Sequence, residues 1–270
     1  MPTLSEIRVY PVKSLDPELV DSAELAASGA LALDRRYALF DADGDYVNGK
    51  NERQTHRLRS EYDFDDGRLR LREQNGDEWA GFDPDADRAA LESWLADFFG
   101  YDVTVCRDDE QGYPDDTDAG GPTLISTGTL DAMASWFDGQ GDRPAVDEAE
   151  LRRRFRPNLV VDAPAFWEDR LYADRDSTVP FTVGGVAFEG VNPCQRCAVP
   201  TRDPDTGETD SGFRTHFLQR REATLSDWVH RDWYDHFYRV MVNTRAPGAP
   251  ATLSVGDGVE CDRKPDSSAF

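Results

Sequence analysis

The sequence predicts a mixed α/β protein that is rich in β-structure, with short antiparallel strands and a few helices. Short apolar segments with alternating side chains recur through the first half of the chain, and turns that contain Asp43-Gly44 and Asp66-Gly67 separate them. Asp-Gly pairs are typical of tight hairpin turns, and short strands joined by such turns favour an antiparallel sheet or barrel. The 270 residues suffice for one large domain or two smaller ones.

We predict three strands before the first helix. Residues 7–12 alternate apolar and polar side chains and lead into Lys13-Ser14. Residues 37–40 run into the first Asp-Gly turn, and residues 69–72 follow the second one. Alternation with a period of two turns one face of each strand toward a core.

A helix follows these strands. Asp83 is a suitable N-terminal cap, Pro84 suits the first turn, and Gly100 is placed to end the helix. The apolar face between these signals consists of Leu91, Leu95, Phe98 and Phe99. Residues 103–106 then predict a strand in which Cys106 is a buried filler.

The segment 111–121 is rich in Asp and Gly, and we place the main domain boundary there. The resulting domains are residues 1–115, which are β-rich, and residues 116–265, which combine a β-barrel with peripheral helices. In the second domain we predict helices at 129–137, 147–155 and 225–237, and strands at 158–161, 185–189, 240–243 and 252–255. Residues 264–270 resemble a frayed end.

The charge is strongly negative and unevenly distributed among residue types. Asp and Glu number 53 against 30 Lys and Arg, which gives a net charge of −23. The lysines are Lys13, Lys50 and Lys264, and every other cation is an arginine. Excess carboxylate with so little lysine indicates a protein suited to high salt, where screening reduces self-repulsion. The alternative interpretation, an ordinary acidic cytosolic protein, does not explain why lysine is so rare.

Such a charge argues against two classes of partner. Nucleic acids and anionic membrane surfaces both attract cationic proteins, so we expect neither. The N-terminus has no signal core, and no apolar run approaches the roughly 20 residues that span a bilayer. We therefore expect a soluble, cytoplasmic protein.

Cys194 and Cys197 form the most informative motif, with Arg196 between them and an Asp-Pro-Asp-Thr-Gly turn shortly after. A structural zinc site would need two further ligands at suitable spacing, and Pro200 soon after the pair disfavours the helix of a thioredoxin-like site. A structural disulfide is disfavoured in a reducing compartment. Two interpretations remain equally supported by the pattern: one of the cysteines is a thiolate ligand to a metal cofactor, or neither cysteine has a special role.

Several other segments offer donors to an anion. Lys13-Ser14 places a rare lysine beside a hydroxyl directly after a strand, which suits a phosphate or a carboxylate. Ser126-Thr127 precedes a predicted helix, although simple capping by Thr127 explains it equally well. Arg156 and Asn158 project the same way if the backbone there is extended. The remaining cations of this set are Arg35 and Arg36.

These residues together resemble the MOSC domain family, named for the carboxyl terminus of molybdenum cofactor sulfurase. Residues 7–14 and 33–58 are similar to its N-terminal β-barrel domain. Ser126-Thr127, residues 155–158 and residues 194–207 are similar to the MOSC domain itself. The string Cys-x-Arg-Cys-x-x-x-Thr-x-Asp-Pro-Asp-Thr-Gly is the most specific part and resembles the amidoxime-reducing branch.

The resemblance implies a molybdenum–molybdopterin cofactor whose metal is bound by Cys197, which is then also the catalytic residue. Cys194 is a neighbour of the ligand. The resemblance also implies a set of residues that hold the pterin and its phosphate: Lys13, Ser14, Arg35, Ser126, Thr127, Arg156, Asn158 and Arg196. Arg36 competes with Arg35 for its role.

The activity implied is an oxidoreductase that reduces small N-hydroxylated or related N–O or S–O substrates. A membrane anchor is not expected. The iron–sulfur domain of some bacterial relatives is not expected either, because Cys261 is the one cysteine after the motif. Electrons would then come from a separate redox protein. Two alternatives stay open: a sulfur carrier with a persulfide on Cys197 or Cys194, and a non-catalytic protein that stores the cofactor.

Overall fold

The computed structural model describes residues 1–139 and 145–262, so the predicted frayed end lies outside the described residues. Within this part of the chain the protein is mixed and β-rich, which confirms the predicted fold class. The helices are α1 Arg88–Phe99, α2 Thr127–Trp136, α3 Glu148–Phe155 and α4 Phe213–Thr224. The strands are β1 Thr3–Val9, β2 Glu18–Val20, β3 Ser22–Leu25, β4 Tyr37–Phe40, β5 Leu58–Asp63, β6 Arg68–Glu73, β7 Ala80–Phe82, β8 Thr104–Arg107, β9 Leu124–Ser126, β10 Leu159–Asp162, β11 Val179–Val183, β12 Val186–Gln195, β13 Arg239–Arg245, β14 Ala251–Ser254 and β15 Val259–Glu260.

The largest sheet has eight strands in the order β15-β11-β12-β13-β9-β10-β1-β2. Its pairs are antiparallel except for β9 and β10. β1 also contacts the segment before β15, where Leu4 N donates to Asp257 O at 2.8 Å. The sheet therefore curls back toward its other edge, and its inner face packs around Leu4, Ile7, Leu159 and Phe188.

The eight-stranded sheet contains strands from both predicted domains. β1 and β2 precede residue 115, yet β1 pairs with β10 from Thr3↔Asp162 to Ile7↔Leu159. The short strands β3 and β14 form a similar link, since they pair from Ser22↔Ser254 to Leu25↔Ala251. The two parts of the chain are thus joined by main-chain hydrogen bonds.

The remaining strands of the first half form two small sheets, β4-β8 and β5-β6-β7. The hairpin predicted at Asp66-Gly67 joins β5 to β6, and Gly67 has a φ of 65°. The strand predicted at residues 7–12 lies earlier in the chain, at Thr3–Val9. β1 ends at Val9, because Pro11 has no N–H with which to continue the ladder.

Helix α1 begins later than predicted. Asp83 caps a turn instead: its Oδ1 accepts hydrogen bonds from Asp85 N and Ala86 N, both at 2.9 Å. The helix starts at Arg88, and Gly100 ends it with a φ of 83°, as predicted. Its buried face consists of Leu91, Leu95 and Phe99.

The helix predicted at 225–237 was wrong. These residues form an irregular segment with one short 3₁₀ turn, Arg231–Trp233, whereas α4 precedes them at Phe213–Thr224. Leu225 and Val229 bury their side chains in the main core from this irregular backbone. The aromatic content of the segment therefore reflects core packing, which needs no helical periodicity.

Candidate functional site

The cysteine motif lies at the end of β12, where the strand leaves the sheet. β12 pairs with β13, and the register shifts between Pro193 and Gln195. The chain then forms a 3₁₀ turn, Val199–Thr201, instead of a regular helix, as the prolines predicted. The four cysteines are free thiols, and the motif is displayed on a strand-to-loop junction.

The structure makes the two cysteines unequal. Cys194 is buried, and its Sγ donates to Asn243 Oδ1 at 2.6 Å. Burial raises the pKa of Cys194 to about 12, against the opposing effect of Arg196, so this thiol keeps its proton. Cys197 is exposed, and its Sγ accepts a hydrogen bond from Val199 N at 3.5 Å. Cys197 is thus the accessible sulfur of the pair.

Both cysteines line a cavity of about 790 Å³. Nine cations line it against four carboxylates, a reversal of the charge balance of the whole chain. The cations are Lys13, Arg35, Lys50, Arg59, Arg153, Arg156, Arg175, Arg196 and Arg239, and the carboxylates are Asp16, Asp34, Asp115 and Asp116. A local excess of cations in so acidic a protein favours an anionic ligand in this cavity.

The cavity wall is also where the backbone is strained. Ser14, Arg35, Arg156 and Met241 line it with φ values of 72°, 51°, 54° and 72°. Residues other than glycine rarely adopt this left-handed conformation, and such strain concentrates at functional sites. The structure corrects one expectation here. Arg156 is the C-terminal cap of α3 and is not extended, yet it still lines the cavity.

Lys13 and Arg35 approach each other at one part of the wall. Lys13 Nζ donates to Tyr113 O at 2.9 Å and to Asp115 Oδ1 at 2.5 Å, and burial lowers the pKa of Lys13. Arg35 Nη1 pairs with Asp34. Arg36 turns away and pairs with Asp109 at 2.5 Å, so Arg35 is the one of the two that lines the cavity.

Arg156 and Asn158 hold this region together. The guanidinium of Arg156 lies 4.2 Å from the Tyr10 ring centroid, and its Nη2 donates to Leu15 O at 2.7 Å. Asn158 is buried, and its Nδ2 donates to Asp34 Oδ1 at 3.0 Å. Asn158 thereby fixes the carboxylate that pairs with Arg35.

Arg196 lies beside the motif, on the wall of the cavity. Its Nη2 donates to Phe155 O at 2.9 Å, and its Nη1 approaches Met241 Sδ at 3.7 Å. The guanidinium also lies 5.4 Å from the ring centroid of Phe155. These contacts fix the guanidinium on the cavity wall.

The structure does not bring Ser126 and Thr127 to the cavity. Ser126 caps α2, since its Oγ accepts from Thr129 N at 3.2 Å, and the same Oγ donates to Glu168 Oε2 at 2.8 Å. Thr127 Oγ1 donates to Asp162 Oδ1 at 3.3 Å. Both hydroxyls are used within the fold.

The Asp203–Gly207 turn connects the motif to the first half of the chain. Asp203 Oδ1 accepts from Asp205 N and Thr206 N, which closes the turn. Gly207 has a φ of 73°, and a Cβ there would lie 2.3 Å from Arg53 O. Only glycine fits this contact, which explains the end of the motif.

Sequence reasoning missed several residues of the cavity. His56 lines it as a half-buried imidazole whose pKa is lowered by burial. Asn243 Nδ2 donates to Asp116 Oδ2 at 2.7 Å, so it links this carboxylate to the Cys194 thiol. These residues follow no shared sequence signal, because they come from separate elements. Within the described residues, no cluster of three or more His, Cys, Asp or Glu is placed to hold a metal ion.

We predict that Glu168 makes the stability of the protein depend on pH. Burial and the neighbouring Asp169 raise the pKa of its carboxyl from 4.5 to about 7. Between these values the unfolded chain releases a proton that the folded protein keeps, so stability falls as pH rises. Glu168→Gln is therefore expected to raise the free energy of unfolding by about 3 kcal/mol at pH 8 and by almost nothing near pH 4.5.

Urea unfolding of the Glu168→Gln variant at constant salt measures this effect. The amide oxygen can still accept from Ser126 and Thr129, so the hydrogen bonds are kept. Glu110→Gln, at an exposed position, is the matched control and should leave stability unchanged at both pH values. An equal gain from Glu168→Gln at both pH values would contradict the prediction.

Two family models match most of the chain. Residues 1–121 match the MOSC N-terminal beta barrel domain, and residues 123–260 match the MOSC domain. A crystal structure of the YUAD protein from Bacillus subtilis is similar to this chain at 12% sequence identity and a TM-score of 0.40. The similarity covers 96% of this chain and 94% of the YUAD chain. No curated protein matches this chain. None of the described helices is long and apolar enough to cross a membrane.

Proposed function

The chain belongs to the MOSC family, and on that basis we propose that it is an oxidoreductase that binds a molybdenum–molybdopterin cofactor. MOSC domains are found in proteins associated with this cofactor. One observation carries the proposal: the exposed thiol of Cys197 shares a cavity of about 790 Å³ with nine cations. A soft metal ligand and an anion-binding wall are the two features that a phosphorylated, metal-bearing cofactor requires.

The donors of the cavity fit such a ligand. Three of the arginines that line the cavity have a buried Nε atom without a hydrogen-bond partner among the described residues: Arg59, Arg196 and Arg239. Buried polar atoms are nearly always paired in folded proteins. The wall thus carries more donors than the protein itself satisfies, which favours a ligand rich in acceptor atoms.

We assign the residues that would hold the cofactor by their place on the wall. Lys13, Arg35 and Arg156 would neutralise the phosphate, with Ser14 beside them. Asn158 would act through Asp34, which it orients, and Arg196 would lie beside the metal ligand. Ser126 and Thr127 are left out, because both hydroxyls are bonded elsewhere in the fold.

Cys197 would supply the thiolate ligand, and Cys194 would keep its proton on Sγ. When bound, the cofactor would supply the two-electron chemistry that removes oxygen from an N–O bond. An N-hydroxylated substrate that gains two electrons and two protons yields the reduced amine-type product and water. The electrons would come from a separate redox protein, and the protons from solvent that reaches the exposed Cys197.

The test is reduction of an N-hydroxylated amidine by protein purified from a host that makes the cofactor, with a chemical electron donor in place of the redox partner. We expect turnover that depends on the donor. Bound molybdenum without turnover would favour the storage protein. A persulfide on Cys197 in protein that lacks molybdenum would favour the sulfur carrier, which the exposed thiol also suits.

A further inference from the structure

The carboxylate of Asp115 pairs with Lys13 and Arg35, two of the cations that we propose to bind the phosphate of the cofactor. Its Oδ1 accepts from Lys13 Nζ at 2.5 Å, and its Oδ2 lies 3.3 Å from Arg35 Nη2. The side chains of Lys13 and Arg35 are 9% and 8% exposed, whereas that of Asp115 is 65% exposed. An anion that approaches these two cations therefore meets the carboxylate of Asp115 first.

The second carboxylate at this place is held differently. Asp34 also pairs with Arg35, but its side chain is 11% exposed. Its Oδ1 accepts from Tyr10 N at 2.8 Å and from Asn158 Nδ2 at 3.0 Å. Asp34 is fixed by the fold, so Asp115 is the carboxylate that can leave.

The chain on either side of Asp115 is anchored. Tyr113 N donates to Arg35 O at 2.8 Å, and a Cβ on Gly112 would lie 2.7 Å from Asp34 O. On the other side, Asp116 Oδ2 accepts from Asn243 at 2.7 Å. Release of Asp115 thus requires rotation of one exposed side chain between two fixed points.

The charges suit an exchange of one anion for another. Lys13 and Arg35 pair with two carboxylates, those of Asp34 and Asp115, and Arg156 is near enough to help lower the pKa of Asp115. Without Asp115 the group keeps a net charge of two positive units. A phosphate monoester carries a charge close to −2 at neutral pH, so it would balance the remaining charge.

We propose that Asp115 is a built-in competitor for the anion site, and that a phosphate group binds Lys13 and Arg35 by displacing its carboxylate. The inference rests on the proposed function only for the identity of the natural ligand, the phosphate of the cofactor. Asp115 then controls how easily the cofactor loads and leaves.

A calorimetric titration of cofactor-free protein with inorganic phosphate tests whether Asp115 competes with the phosphate. Asp115→Asn and Asp115→Ala are both expected to bind phosphate about fivefold more tightly than the wild type, the upper end of what an ion pair of an exposed carboxylate contributes. The alanine variant excludes a gain from a new amide donor. Asp118→Asn lies in the same loop at an exposed position and should match the wild type within about twofold.

Weaker or unchanged phosphate binding by both Asp115 variants would overturn the inference, because the carboxylate would then not compete. Equal tightening by Asp118→Asn would also overturn it, since the effect would be one of general charge. Absence of phosphate binding in every protein would overturn the site itself. These outcomes are separate from the proposed function, which fails if protein from a cofactor-making host contains no molybdenum.

Discussion

Cys197→Ala is expected to reduce turnover of an N-hydroxylated substrate by more than about a hundredfold, because even supporting residues of a metal site change activity by 10- to 100-fold. Cys197 is exposed at the strand-to-loop junction, so the substitution leaves the core untouched. The measurement is the rate with a chemical electron donor, together with thermal unfolding to show that the fold is kept.

Cys194→Ala is the matched control for this variant. The buried Cys194 thiol donates to Asn243 Oδ1, so its loss should lower stability more than it lowers turnover per molybdenum. If Cys194→Ala abolishes turnover and Cys197→Ala does not, the assignment of the two cysteines is reversed. If both variants keep full turnover, neither sulfur serves the reaction.

Arg221→Met is expected to lower the free energy of unfolding by about 3–5 kcal/mol, the usual cost of breaking a buried ion pair. Arg221 is fully buried, and its Nη2 donates to Asp169 Oδ1 at 2.6 Å and to the Tyr234 hydroxyl at 2.9 Å. Its Nε also donates to Arg239 O at 3.1 Å. The variant leaves the Asp169 carboxylate buried without its cation. Urea unfolding measures the loss.

Two further variants test the physical reason for this loss. Arg220→Met changes the adjacent, exposed arginine of α4 and should change stability by less than about 0.5 kcal/mol. Adding Asp169→Asn to Arg221→Met removes the unpaired charge and should recover part of the stability. A double variant no more stable than Arg221→Met alone would show that lost packing, and not charge, explains the effect.

Local features of the fold could be predicted from the sequence, and its sheet order could not. The Asp66-Gly67 hairpin and the end of α1 at Gly100 follow from backbone conformations that glycine adopts readily. The pairing of β1 with β10 depends on contacts between distant segments, which no local pattern encodes. α4 was missed because its buried face contains Arg221 beside Phe213 and Phe217, and a buried arginine does not look apolar.

The candidate site was predictable to a similar extent. The sequence indicates Lys13 because lysine is rare in this chain, and it indicates Arg156 and Arg196 through their motifs; all three line one cavity. Asp115 and Asn243 were missed, because their roles arise from partners far away in the chain. Ser126 shows the opposite problem, since a residue that matched the family pattern is used as a helix cap bonded to Glu168.

The most direct test of the central claim is the molybdenum and pterin content of protein purified from a host that makes the cofactor. The wild type should contain one molybdenum and one pterin per chain, and X-ray absorption at the metal should lose one sulfur ligand in Cys197→Ala but not in Cys194→Ala. A wild-type protein that contains neither molybdenum nor pterin under these conditions would contradict the claim.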